Sequence, residues 1–262
     1  MTVLELNDLR DGYLRVVREI LDSGEERSPR GMRTLELSPA TLVITDPSKV
    51  VPVGVGRKLN FAIGAAESAH LVGGVSDAAQ MVSITKNFAQ FVEGGRLRGA
   101  YGPRTAGQFD RVVSCMARDR DTRQASVVVW RPWDLARPSK DVPCTVGLHF
   151  ALRGGRLDMH VTMRSNDVFL GLPYDAWMFA NAQHAVAAAL GVEVGVYYHT
   201  AVSLHAYERD FSALEALHPW DGEPGPPMLV QGPGWDAIPD LGWGVAACFA
   251  RLAVGLDLTK CE

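Results

Sequence analysis

Residues 145–163 constrain the fold more than any other stretch of the chain. Thr145–Leu152 and Leu157–Met163 flank Arg153-Gly154-Gly155-Arg156. The second arm sets Leu157, Met159, Val161 and Met163 against Asp158, His160 and Thr162, the period of two that a half-buried strand requires. Two such arms joined by Gly-Gly predict an antiparallel hairpin, because its tight turn needs positive φ at both central residues.

Other segments read more coarsely. Leu9, Tyr13, Val16, Val17, Ile20 and Leu21 recur at helical spacing and predict a helix over 4–22, stopped by Gly24. Residues 62–73 and 107–118 predict two more helices, and Ser126–Trp130 a strand. A long helix is expected over 176–190 with Gly191 at its stop, then a strand over 192–204. Residues 25–32 read as a loop, 219–240 as an irregular Pro- and Gly-rich excursion, and 242–256 as a last apolar helix. Strands and helices interleave without a βαβ rhythm. The expectation is an α+β fold, a mixed twisted sheet packed with helices in a single domain over 1–262. The glycines of Gly54–Lys58 and Val72–Asp77 do not match a dinucleotide fingerprint.

Composition excludes several classes. At 262 residues and 47% hydrophobic the chain can bury a sizeable core. A net charge of −4 argues against a nucleic-acid coat but leaves room for a small phosphate pocket built from a few arginines. The four cysteines, at 115, 144, 248 and 261, form no C-x-x-C pair, so neither a disulfide framework nor a zinc site is indicated. Histidines 70, 149, 160, 184, 199 and 218 lack metal spacing, and Trp220, Trp235 and Trp243 read as packing residues. The N-terminus lacks a signal-peptide h-region, and Arg251 interrupts the longest apolar run, Val245–Leu256. A reduced, cytoplasmic protein with no membrane or nucleic-acid partner is expected.

Two places could carry chemistry. Cys144 lies between Pro143 and the first hairpin arm; it is either a positioned nucleophile or a small buried hydrophobe. An antiparallel pairing would bring Arg164 and Ser165, at the end of the second arm, close to it. The run Arg164-Ser165-Asn166-Asp167-Val168-Phe169-Leu170-Gly171-Leu172-Pro173-Tyr174-Asp175 joins an anion-binding pair to two acids. Asp175 reads equally well as a helix N-cap or as a functional carboxyl.

That run resembles the R-S-x-D-x-x-L-G-x-P-[FY]-N signature of the thymidylate synthase family. Six further elements resemble that family in order: Arg27–Gly31, Glu67 with Gly74, Tyr101-Gly102, Asp121–Gln124, Pro143-Cys144, and His205-Ala206-Tyr207. The resemblance implies the family's fold and a homodimer formed through the sheet. It implies that Cys144 adds to C6 of a pyrimidine and that Glu67 organises water and proton transfers. Arg27, Arg123, Arg164 and Ser165 would hold the 5′-phosphate, with Arg123 supplied by the second subunit. His205 and Tyr207 would bind the sugar hydroxyl, Asp167 would face the folate pterin, and Phe88 would lie beside it. The cosubstrate implied is 5,10-methylenetetrahydrofolate, with no metal.

One departure bears on substrate. The signature ends in Asn, whose amide accepts from N3–H and donates to O4 of uracil; here it ends in Asp175. Cytosine inverts both groups, and a protonated carboxyl can donate to N3 while accepting from the 4-amino group. Asp175 therefore predicts a cytosine nucleotide. Within the family, Asp here resembles the nucleotide hydroxymethylase branch, including the CMP 5-hydroxymethylases of antibiotic biosynthesis. The expected activity is conversion of CMP, and of dCMP, to the 5-hydroxymethyl nucleotide, with water ending the reaction instead of hydride. A reductive methylase of a uridylate and a non-catalytic nucleotide-binding homologue are the alternatives. Gln124, Met163 and Thr145 replace the family's Arg, Gln and His, and Arg30 is a second candidate for the phosphate.

Overall fold

The structure, a computed structural model, describes residues 1–136, 138–226, 228 and 229. In chain order its strands are β1 (Thr2–Leu6), β2 (Glu25–Arg27), β3 (Thr34–Leu37), β4 (Ala40–Ile44), β5 (Val92–Glu93), β6 (Arg96–Leu97), β7 (Ser126–Val128), β8 (Thr145–Arg153), β9 (Arg156–Met163), β10 (Asn166–Asp167), β11 (Glu193–Ala201) and β12 (Leu204–Tyr207). Its helices are α1 (Leu9–Ser23), α2 (Phe61–Gly73), α3 (Ala78–Ile84), α4 (Gly102–Thr105), α5 (Gln108–Arg118), α6 (Leu172–Leu190) and α7 (Phe211–Glu215).

The main sheet has six strands in the order β1-β4-β11-β9-β8-β7, and a smaller one has four, β10-β12-β3-β2. Strand β11 runs parallel to β9 and antiparallel to β4, so the sheet is mixed, as expected. The β8–β9 hairpin forms with Arg153 opposite Arg156, and Gly154 and Gly155 take φ of 55° and 80°. Leu157, Met159, Val161 and Met163 all face the core. Register shifts between Thr145 and Gly147, next to Cys144. A Cβ at Gly147 would lie 2.6 Å from the Val127 carbonyl, so the irregularity needs glycine.

Helix α6 covers the inner face of this sheet. It is apolar almost all round because α2 and α5 cover its other flanks. Gly64 of α2 sits under the Trp177 ring of α6, where any side chain would collide. On the outer face the register lines up Val43, Tyr198, His160, His149 and Ser126, with Val128 beside them 52% exposed. His160 and Tyr198 stack there at 4.2 Å, and Thr41 and Thr200 share a hydrogen bond of 3.0 Å. No helix of the described residues is long and apolar enough to cross a membrane.

Three local expectations are corrected. Residues 2–6 are a strand, not the first turn of a helix, because Leu4 and Leu6 alternate inward and pair beside β4. Helix α1 begins at Leu9, where the Asp8 carboxylate accepts from the Asp11 amide at 2.8 Å. Residues 25–27 are a charged, exposed edge strand, and only the remainder of 25–32 is turn. The long helix starts at Leu172 with Pro173 in its first turn, so Gly171, not Asp175, is the N-cap. The expected helix over 242–256 lies outside the described residues, as does most of 219–240.

Candidate active site

The open end of the hairpin builds the centre. Cys144 immediately precedes β8 and Arg164 immediately follows β9. The Arg164 amide donates to the Cys144 carbonyl at 2.8 Å. Its guanidinium donates to the carbonyls of Pro143 and Val142, each at 2.9 Å, and lies 5.8 Å from the Trp130 ring centre. The guanidinium is thus fixed beside the half-buried thiol. Burial pushes the Cys144 thiol up; Arg164 and Arg30 pull it down, while Asp175 and Asp141 push it further up. Arg30 holds φ at 55°, a conformation that costs a non-glycine residue energy and that clusters at functional sites.

Asp175 stands in the first turn of α6, and its Oδ2 accepts from Asn166 Nδ2 at 2.7 Å. A Cβ at Gly171 would lie 2.9 Å from that nitrogen and 3.2 Å from Asp175 Oδ2, so glycine lets the pair meet. Burial raises the Asp175 carboxyl to about 7, against the Asn166 hydrogen bond and with help from Asp167. Glu67, on the half-buried flank of α2, is raised to about 8 by burial and by Asp175. The Tyr101 phenol is raised by burial and by its neighbours Asp175, Cys144 and Glu67. Four titratable groups from four separate segments therefore lie within electrostatic reach of one another, as groups arranged for proton transfer do. The Tyr174 hydroxyl accepts from the Asn60 amide at 3.0 Å, which ties the start of α2 to α6 and sets Glu67 relative to Asp175.

These shifts also bear on stability. A carboxyl whose folded pKa is raised contributes stability that is complete below its unfolded pKa and lost as pH rises through the folded value. For Glu67 the window runs from the ordinary carboxylate range, 4.5, to about 8. Glu67→Gln removes the penalty of charging a buried group. It is expected to stabilise the protein at pH 8.5 by about 3 kcal/mol relative to its effect at pH 5. In thermal melts this is a gain of roughly 5–10 °C at pH 8.5 that shrinks toward pH 5; equal gains at both values would refute the shift.

The smaller sheet supplies the rest. Parallel pairing sets Asp167 opposite His205. Asp167 Oδ1 accepts from the amides of Phe169 and Leu170 at 2.8 and 3.1 Å, while Oδ2 lies 3.7 Å from Arg209. Buried His205 meets Tyr207 edge to face at 5.0 Å. The Ser203 hydroxyl donates to Glu36 at 2.6 Å, and Glu36 stands 3.6 Å from Arg27, which also pairs with Glu25. Ser165, half-buried, adjoins Arg164. Cys144, Arg164, Glu67, Asp175 and Asp167 are thus coupled to one another, with Ser165 next to Arg164, while His205, Tyr207 and Arg27 lie on the smaller sheet and no hydrogen bond or ion pair among the described residues joins them to Cys144 or Asp175. Arg123 and Phe88 stand apart: Arg123 is exposed before β7, Phe88 is half-buried in the turn Lys86–Phe91, and neither side chain bonds to this cluster among the described residues.

Asn166, His199 and Tyr197 extend the site beyond the sequence reading. Their signal was polar side chains at inward positions of strands that otherwise bury apolar ones. Among the described residues no group of three or more His, Cys, Asp or Glu could hold a metal ion.

Residues 11–231 match the family described as thymidylate synthase. The chain is 32% identical over 220 residues to a deoxyuridylate hydroxymethyltransferase of Bacillus phage SP01, covering 77% of this chain and 57% of the phage protein. It is 28% identical over 227 residues to the protein of the same name from Pseudomonas phage M6, covering 83% and 65%. The chain thus spans less than two thirds of both phage proteins. A putative thymidylate synthase of Methanothermobacter thermautotrophicus is 30% identical over 230 residues, covering 83% of this chain and 98% of that one. With the match running through the Cys144 hairpin and the signature that ends in Asp175, the chain belongs to the thymidylate synthase family.

Proposed function

We propose that the protein is a cytidylate 5-hydroxymethylase, acting on CMP, and on dCMP, with 5,10-methylenetetrahydrofolate and water. Asp175 carries this reading. A carboxyl with a pKa of about 7 holds a proton near neutral pH, so it can donate to N3 of cytosine and accept from the 4-amino group. A carboxylate facing O4 of uracil would instead oppose two acceptors. Cys144 Sγ adds to C6, turning C5 into the nucleophile that takes up the one-carbon unit. The folate supplies that unit at the oxidation level of formaldehyde, so water completes the product without hydride. Glu67, protonated at neutral pH, passes protons to and from the base and ordered water. Loss of the C5 proton expels tetrahydrofolate and leaves an exocyclic methylene; water adds to it, and Cys144 then leaves C6 as the ring double bond returns.

The remaining residues bind. Arg164, Ser165 and Arg27 hold the 5′-phosphate, with Arg30 beside them, and His205 and Tyr207 hold the sugar hydroxyl. Asp167 fits a pterin partner because its Oδ1 is committed to backbone amides while Oδ2, 3.7 Å from Arg209, accepts no hydrogen bond among the described residues. Phe88 would lie beside the folate. The outer sheet face takes a second copy of the chain, whose Arg123 completes the phosphate site.

The names of the relatives favour a second reading, 5-hydroxymethylation of dUMP or reductive methylation of a uridylate. Incubation with formaldehyde, tetrahydrofolate and each of CMP, dCMP, UMP and dUMP separates them. We expect 5-hydroxymethyl product from the cytosine nucleotides and no rise in dihydrofolate absorbance. Turnover confined to dUMP, or stoichiometric dihydrofolate, would sink the cytidylate assignment.

A further inference from the structure

Behind Asp175 lies a chain of buried hydrogen bonds. Asn166 Nδ2 is 2.7 Å from Asp175 Oδ2; Asn166 Oδ1 is 2.9 Å from His199 Nε2; His199 Nδ1 is 2.7 Å from the Tyr197 hydroxyl. Asn166, His199 and Tyr197 are all buried, His199 and Tyr197 to within 1%. Among the described residues Tyr197 has no other hydrogen-bond partner.

We infer that Asn166, His199 and Tyr197 form a one-way hydrogen-bond relay that keeps the acid proton of Asp175 on Oδ1, and so make Asp175 a single-valued reader of the pyrimidine edge. The direction follows from counting donors. A neutral imidazole has one donor and one acceptor. Burial holds the His199 ring neutral, its pKa lowered to about 4. If Tyr197 O–H donates to Nδ1, then Nε2–H donates to Asn166 Oδ1 and Asn166 Nδ2–H donates to Asp175 Oδ2. Every proton has an acceptor. Reversing the chain makes Nδ1–H donate to the Tyr197 oxygen and leaves the phenolic proton buried without a partner, at a cost that buried polar groups rarely bear. The reversed chain would also require the Asp175 proton to sit on Oδ2.

The position of that proton is the base code. A carboxylic acid has one donating and one accepting oxygen, and exchanging them exchanges cytosine for uracil. With Oδ2 held as an acceptor, the acid presents a single pattern. Assigning cytosine to it rests on the reading proposed above, in which Oδ1 faces N3. The three relay residues touch no substrate atom; they are positioning residues.

The test is the ratio of CMP to UMP affinity, measured by calorimetry so that it does not depend on turnover. In Tyr197→Phe the relay loses the donor that sets its direction, and the ratio should move about tenfold toward unity while the sum of affinities stays within about threefold. Asp175→Asn should keep the parental base preference, because the relay holds the amide carbonyl toward Asn166 and its NH2 where Oδ1–H stood. Adding Tyr197→Phe should then let that amide turn over and gain about tenfold for the other base. An unchanged ratio in Tyr197→Phe, or a full switch in Asp175→Asn alone, overturns the relay; the switch would leave Asp175 as the base reader. A parental preference for UMP that Tyr197→Phe still flattens would instead overturn the cytidylate reading and keep the relay. If Tyr197→Phe does not fold, His199→Gln, which keeps one donor and one acceptor, should retain the ratio, and its loss there counts against the relay.

Discussion

Cys144→Ala is expected to abolish turnover, by at least about a thousandfold, while CMP still binds within a few-fold of the parent affinity. The nucleophile is the one group in the cleft that no neighbour can replace. Tyr101 sits close enough to act on it electrostatically, but burial holds its phenol far above neutral and so protonated. Glu67 and Asp175 are carboxyls, poor partners for a conjugate addition to C6. Binding rests on separate groups: the Arg164 guanidinium is fixed by the carbonyls of Pro143 and Val142, not by the thiol, so removing sulfur leaves the phosphate site standing. Loss of tritium from C5 of the base is the sharper readout, since it follows addition at C6 and needs no folate product. Parent exchange with none in Cys144→Ala is the expected pair. Exchange that persists in the variant would remove Cys144 from the mechanism. No exchange in either protein would favour a nucleotide-binding homologue over an enzyme.

How this centre could be foreseen differs from residue to residue. The hairpin was legible because Gly154-Gly155 and the alternation of 157–163 encode the turn and register locally, and the turn fixes that Cys144 meets Arg164. Strands β3 and β4 were not legible. They are short, lie beyond the marked periodic runs, and owe their strand state to partners far along the chain, β12 for one and β1 and β11 for the other. Asp175 was ambiguous in the sequence because helix caps and functional acids use the same residue; only the position of Gly171 decides it. The relay was invisible for a related reason. His199 lies 33 residues from Asn166, and a lone inward histidine carries no spacing pattern. Arg123, exposed and with no side-chain bond among the described residues, is where the sequence resemblance reaches beyond what these residues join.

Affinity for CMP is expected to fall about tenfold for each pH unit above about 7, and Asp175→Asn should remove that descent. The cytosine edge offers an acceptor at N3, so the complex needs one proton between N3 and Asp175. Below about 7 the free protein already carries it. Above that value the carboxyl must first take up a proton, and each further unit costs a factor of ten. Glu67 titrates nearby, with its pKa at about 8, and could bend the same profile, since its charge acts on Asp175. The amide variant separates the two. It keeps Glu67 and loses only the titrating reader, so any slope left in Asp175→Asn belongs to Glu67 or to the phosphate arginines' partners. By pH 9 the parent should bind CMP about a hundredfold more weakly than at pH 7, while the variant changes by no more than about fivefold. A flat parent profile across pH 7–9 would mean that Asp175 binds the base without its proton, and the cytosine reading would lose its physical basis.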